Sequence, residues 1–231
     1  MDYGFGIPLQ RDTAAKVKEL GGEVLGSVMH PLNSADFSSY LLKAQSSGAK
    51  VVAFANGGTD TMNSVSQAYE FGLQRNQMFA GMAIDVLDIH AVGLAKLQGT
   101  YLVSGGYWDT NAATRKFSQR FFEKIGRMPV ANQMGVYVMT GHYLRAVQAL
   151  GSDASGKAVV AKMREIPIED LISTRAWLRE DGRVMRDLFL GRVKSPGESK
   201  GEWDLIDLAD RVHGDQAYRP RSSSECRLLR S

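Results

Sequence analysis

Lys50-Val51-Val52-Ala53-Phe54-Ala55-Asn56-Gly57-Gly58-Thr59-Asp60 passes from apolar run to glycine turn to helix start within one short stretch, and its reading decides the fold. The unbroken run Val51–Ala55 suits a parallel strand covered on both faces better than the alternation of a half-exposed one. Asn56, Gly57 and Gly58 break it, and Thr59, Asp60 or Thr61 is placed to cap a helix on which Met62, Val65 and Tyr69 recur at helical spacing before Gly72 ends it. In open parallel sheets, ligands bind at such strand ends. Free N–H groups of the two glycines, backed by a helix N-terminus, would favour a carboxylate or another anion. The alternative is an ordinary tight connection that binds nothing.

With 231 residues and 44% apolar content, the chain has enough material to bury a core as one large or two small domains. A formal charge of +3, with both signs interspersed, gives no footprint for nucleic acid. No apolar run approaches the roughly 20 residues that span a bilayer, and the opening residues lack the basic start and apolar core of an export signal. Cys226 is the single cysteine, so an internal disulfide is ruled out.

Outward from the central stretch, the pattern repeats. Residues 1–6 read as a strand-to-helix loop without its strand. A helix capped by Asp12 or Thr13 follows, with Ala15, Val17 and Leu20 as its apolar positions and Gly21-Gly22 as its exit. Gly4-Phe5-Gly6 departs from a dinucleotide fingerprint, because Leu9 stands where the third glycine is needed. Glu23–Met29 reads as a strand ended by Pro31; Ser34 or Asp36 starts a helix with Phe37, Leu41 and Ala44 on its inner face, closed by Gly48. Met78–Met82 and Gly99–Ser104 read as further strands around a helix at Asp85–Leu97. The β-α unit recurs roughly every 25 residues, the length of a βαβ crossover, which makes residues 1–105 one parallel α/β layer.

Beyond Gly105 the texture changes. Helices are predicted over Asn111–Ile125, burying Phe117, Phe121 and Phe122, over Ala131–Leu150, burying Val136, Met139, Tyr143 and Ala146, and over Gly156–Glu165. None has an adjacent strand, so their apolar faces must pack on something residues 1–105 do not supply. Leu171–Leu178, Leu188–Val193 and Trp203–Ile206 read as extended, with Asp181-Gly182 as a hairpin signal. Gln216–Ser231 is rich in Arg and Ser and reads as a loosely held tail.

Catalytic signatures are missing. His30, His90, His142 and His213 are scattered without metal-ligand spacing, and no nucleophile elbow, phosphate loop or paired-cysteine motif occurs. Asp85, Asp88 and His90 lie close together, but capping of a helix start explains the two acids. No cofactor is implied, and the chain reads as a non-enzyme.

Several short motifs, weak singly, are specific in their order: Asp2-Tyr3-Gly4-Phe5-Gly6, Gly21-Gly22-Glu23-Val24-Leu25-Gly26, Pro31-Leu32-Asn33 to Asp36-Phe37-Ser38, and Gln67-Ala68 to Phe71-Gly72-Leu73. Gly106-Tyr107-Trp108-Asp109, Phe121-Phe122 to Gly126-Arg127-Met128-Pro129, Tyr137, Asp181-Gly182-Arg183 and Trp203 continue the series. From Asp2 to Pro220 the chain resembles the second lobe, and the return to the first, of a type I periplasmic solute-binding protein of ABC importers, in the branched-chain amino-acid (leucine/isoleucine/valine-binding) family. The resemblance implies an α/β chain with a parallel sheet flanked by helices. It assigns residues 1–105 to the second lobe, 106–170 to the helical part of an incomplete first lobe, 171–215 to crossing strands and 216–231 to a flexible tail. Most of the first lobe would lie outside this chain, which accounts for the missing opening strand and export signal.

The same resemblance implies a small amino acid or aromatic carboxylate as ligand, closed on by two lobes, with a membrane permease as partner and the periplasm as location. Carried over residue by residue, Phe5 is the aromatic that packs on the ligand, with Tyr3 beside it, and Asn56, Gly57 and Gly58 form the strand-end loop. Asp85 is the candidate for the ligand's amino group, and Gln133 and Met134 approximate a further contact. With one wall of the cleft absent, negligible affinity is expected of this chain alone, together with self-association through uncovered apolar surface. Two other readings remain open at this point: an α/β hydrolase-like enzyme using Asp85 or His30 near the Asn56–Asp60 loop, and a cytoplasmic ligand-sensing regulator on the same fold.

Overall fold

The computed structural model describes residues 4–224 and residue 226. The chain is mixed α/β, as expected, and divides into two compact units. Unit 1 takes the described residues up to Val103 together with Gly191–Asp207; unit 2 takes Ser104–Leu190 and the described residues from Leu208 onward. The chain changes unit within three strands, β3 (Tyr101–Ser104), β6 (Leu188–Val193) and β7 (Ile206–Val212).

Unit 1 is built on parallel pairing. β1 (Val51–Phe54) runs beside β2 (Met78–Gly81) in the register Val51↔Met78 to Phe54↔Gly81, and β2 beside β3 with Ala80↔Tyr101. The sheet order β1-β2-β3-β6-β7 places β1 at the rim. On the inner face Phe54 meets Phe79 edge-on at 5.3 Å, and Val65 and Ala68 of helix α3 (Thr59–Glu70) are buried. Aromatic and β-branched side chains on this face supply the apolar burial that holds sheet to helix. Gly21, Gly48 and Gly72 follow their helices with φ of 78°, 67° and 73°, the left-handed turn that a glycine exit permits.

β1 is not covered on both faces: Val51 (45% exposed) and Ala53 share an exposed face while Phe54 is buried on the other, and the strand lies at the rim, paired only with β2 among the described residues. Glu23–Met29 forms no strand, and Leu25, Val28 and Met29 are exposed, since a strand exists only where a neighbour takes its hydrogen bonds and no described strand does so there. Helix α1 (Gly6–Glu19) starts behind Phe5, ahead of Asp12 and Thr13; only Gly6 is buried on it, and the following Leu20, expected inside, is 75% exposed. Helix α2 (Ser38–Ser46) begins after Phe37, with Phe37 and Leu41 buried as expected. α3 is capped by no side chain: Gly58 holds the N-cap position, and Asp60 and Thr61 turn inward. The helix predicted over Asp85–Leu97 breaks at Gly93 (φ 91°) into α4 (Val86–Val92) and α5 (Leu94–Leu97).

Unit 2 carries helices α6 (Ala112–Ile125), α7 (Ala131–Leu150) and α8 (Gly156–Glu165), within the predicted bounds. Their inner faces differ from expectation. α7 buries Met134, Val138, His142 and Ala146, an i,i+4 row, whereas Val136 is 67% exposed and Tyr143 is exposed. α6 buries Thr114 and Ser118, leaving Phe117 and Phe121 half-buried and Phe122 exposed. Met134, Ile172 and Phe189 form the core, with Phe117 and Trp108 packed against it. The hairpin is present as β4 (Trp177–Leu178) antiparallel to β5 (Val184–Met185), with Gly182 at φ 82°; Leu171–Ala176 is not strand. The strand expected over Trp203–Ile206 instead begins at Ile206 as β7. The opening of the expected tail is structured: helix α9 (Gly214–Ala217) and a short turn at Arg221–Ser223 follow β7, and Arg221 pairs with Glu180 at 2.7 Å. Glu225 and residues 227–231 lie outside the described residues.

Candidate functional site

The end of β1 runs through Asn56-Gly57-Gly58 into the N-terminus of α3. Gly58 has φ 59° and ψ −135°, a conformation that a side chain would strain, so glycine is required where the strand turns into the helix. The N–H groups of Gly57, Gly58 and Thr59 make no hydrogen bond among the described residues. They stand at the positive end of a helix with 12 residues of aligned peptide dipoles.

Phe5 reaches this loop. Its ring edge lies 3.7 Å from where a β-carbon on Gly57 would be, and the side chain is 43% exposed. A partly exposed aromatic ring beside unpaired helix-end amides suits a ligand with an apolar body and an anionic end. Tyr3, read from sequence as its companion, lies outside the described residues.

Behind the loop lies a buried polar cluster. Asn56 accepts from Thr61 Oγ1 at 2.9 Å through Oδ1, and its Nδ2 faces Ser64 Oγ at 3.1 Å, His30 Nε2 at 3.3 Å and the Asp60 carbonyl at 3.4 Å. The Asn56 carboxamide thus belongs to the support of the loop. His30 is 7% exposed, with Nδ1 against the Pro31 carbonyl at 2.8 Å, so both ring nitrogens are occupied. The imidazole that the hydrolase-like reading would draw on is thus engaged within the protein at both nitrogens. Asp60 is 3% exposed; its Oδ2 accepts the Asn33 N–H at 3.2 Å, while Oδ1 has no partner.

The other sequence-predicted residues lie on other elements. Asp85 caps α4, accepting from the N–H groups of Leu87 (2.8 Å) and Asp88 (3.4 Å), while Asp88 accepts the Asp85 N–H at 3.0 Å. Burial pushes the Asp88 carboxyl up to about 6, against the pull of the Asp85 N–H, and the Asp85 charge adds to the rise. In unit 2, Gln133 accepts the Val130 N–H at 3.0 Å at the start of α7, and Met134 is fully buried in that unit's core.

Sequence reading missed His30, Thr61, Ser64 and Asp60 as one cluster. Asp60, Thr61 and Ser64 share the inward face of α3 with Val65 and Ala68, and that spacing of small polar residues was the available signal. A separate open groove of about 480 Å³, lined by Ala35, Asp36, Ser38, Gln67, Glu70 and Phe71, shares no residue with the loop, and its two carboxylates would repel an anion. No group of three metal-ligating side chains occurs among the described residues, and no described helix is long and apolar enough to cross a membrane.

A family model described as periplasmic binding protein matches residues 1–202. Over 98% of its length the chain is similar to a periplasmic binding protein of Burkholderia mallei, with 40% identity and a TM-score of 0.93, covering 60% of that protein. It is similar, again over 98% of its length, to a branched-chain amino-acid ABC transporter periplasmic ligand-binding protein of Burkholderia xenovorans LB400, with 36% identity and a TM-score of 0.87, covering 61% of that chain. A Leu/Ile/Val-binding protein homolog of Brucella melitensis is 32% identical over 96 residues, 40% of this chain and 25% of that relative. The chain therefore spans about 60% of the length of the solved relatives.

Proposed function

The chain belongs to the periplasmic binding protein family, and from that premise we propose that it recognises a small carboxylate with an apolar or aromatic body for an ABC-type importer. Its partner is a membrane permease, its location is the periplasm, and it turns over no substrate and takes no nucleic acid. The observation that carries the reading is the meeting of Phe5 with Gly57 at the N-terminus of α3. Unpaired amides receive the carboxylate and the ring receives the apolar body. The names of the two relatives from B. xenovorans and B. melitensis favour a branched-chain amino acid; the partly exposed Phe5 ring suits an aromatic carboxylate equally.

The test is a titration of the isotope-labelled chain with leucine, phenylalanine and 4-hydroxybenzoate, followed residue by residue by NMR. Isoamylamine and phenol, which lack the carboxylate, are the controls. Carboxylate-dependent shifts at Gly57, Gly58 and Phe5 are expected at millimolar concentration. Silence at these three residues with every carboxylate overturns the assignment.

A further inference from the structure

The Asn56 cluster contains two groups whose hydrogen-bonding roles are fixed by elimination. The Pro31 carbonyl can only accept, so His30 must present N–H at Nδ1, which in the neutral ring leaves a lone pair at Nε2. The Thr61 carbonyl takes the Ser64 hydroxyl proton at 3.1 Å, so Ser64 Oγ is an acceptor towards Asn56. Asn56 Nδ2 therefore faces three acceptors, and its Oδ1 faces the Thr61 hydroxyl. Turning the carboxamide over would set Oδ1 against the His30 lone pair and the Asp60 carbonyl. One orientation is allowed.

The His30 ring is itself held, edge-on to Phe37 at 4.8 Å and to Tyr40 at 6.0 Å. A residue 26 positions upstream of Asn56 thereby sets the carboxamide from which the Gly57-Gly58 turn departs. We propose that His30 is a positioning residue for the strand-end loop, acting through Asn56: its Nε2 lone pair locks the carboxamide and keeps the Gly57 and Gly58 amides turned towards the ligand. The inference rests on the ligand-binding reading of that loop for its purpose, although not for its geometry.

Three measurements on the ligand-free chain decide it. In the wild type, imidazole nitrogen shifts should report the Nδ1–H tautomer of His30; an Nε2–H tautomer would refute the lock directly. His30→Phe keeps a ring against Phe37 and Tyr40 but removes the acceptor. The Asn56 side-chain resonances should then move towards those of a solvated amide. Exchange of the Met62 N–H, whose bond to the Gly58 carbonyl opens α3, should quicken about tenfold, as loss of one buried hydrogen bond would give. His30→Gln supplies an acceptor without a ring and should restore both signals; failure to restore them would assign the effect to aromatic packing and overturn the proposal. If His30→Phe does not fold, the tautomer and the Gln variant still decide. Titration of the wild type with 4-hydroxybenzoate separates the two claims: an intact lock with no shift at Gly57 or Gly58 removes the ligand reading and leaves the loop-positioning role standing.

Discussion

Asp60 reaches back from the first turn of α3 to accept the backbone N–H of Asn33 at 3.2 Å, and Asn33 holds a positive φ of 58°. Asparagine tolerates this left-handed geometry better than other side-chain-bearing residues, and glycine tolerates it best. Asn33→Ala should therefore cost about 1 kcal/mol in urea unfolding, whereas Asn33→Gly should stay within roughly 0.5 kcal/mol of wild type. Equal losses in the two variants would show that the Asn33 side chain, and not its backbone geometry, matters.

Asp88 gives a pH dependence of known sign. Its carboxyl is pushed up to about 6 from an ordinary 3.8, chiefly by burial, so the folded chain holds that proton more tightly than the unfolded chain. Its stabilising contribution is full below pH 3.8 and is lost as pH rises through about 6. Asp88→Asn keeps an oxygen for the Asp85 N–H without the charge. Relative to wild type, it should gain about 1 kcal/mol in denaturant unfolding above pH 6, after discounting for partial solvent access, and lose that gain near pH 4. A gain that does not change with pH would place the effect elsewhere.

Local signals in the sequence were reliable where a structure closes on itself. The turn at Asn56-Gly57-Gly58, the exits at Gly21, Gly48 and Gly72 and the helices at Ala131–Leu150 and Gly156–Glu165 depend on neighbours within a few residues. Glu23–Met29 was not legible, because a strand is a relation between two segments and its own residues cannot report a missing neighbour. The buried side of α7 was not legible either, since Val136 and Tyr143 on one side are as apolar as Met134 and Val138 on the other. At the candidate site the glycines could be placed by pattern, and Phe5 by the family resemblance alone. The His30–Asn56 contact joins residues 26 apart and has no local mark.

Gly191 tests the packing of β6 against its neighbours in unit 1. A β-carbon there would lie 2.7 Å from Ile206 Cγ2, closer than side chains pack, and at an ordinary contact distance of 3.5 Å from Leu102 Cγ. Gly191→Ala should cost roughly 1–3 kcal/mol through overpacking. The offending methyl is a β-branch, so Ile206→Leu, which moves the branch one carbon outward at equal volume, should return part of that loss in the double variant. Strict additivity of the two substitutions would show that they do not meet.

Val136 and Tyr143, and likewise Tyr137 and Leu144, are seven residues apart on α7, so all four share one side, and all four are exposed. Two turns of helix carrying an apolar stripe in water favour association, because each buried side chain gains roughly 1.5–3 kcal/mol when removed from solvent. Sedimentation of the chain should accordingly show self-association that grows with concentration. Val136→Lys with Leu144→Glu places opposite charges eight residues apart on the same face and should shift the distribution towards monomer without lowering the unfolding midpoint, since neither side chain is buried. An unchanged distribution in the double variant would move the contact to the other apolar surfaces, with the exposed Leu25, Val28 and Met29 of unit 1 next to be substituted.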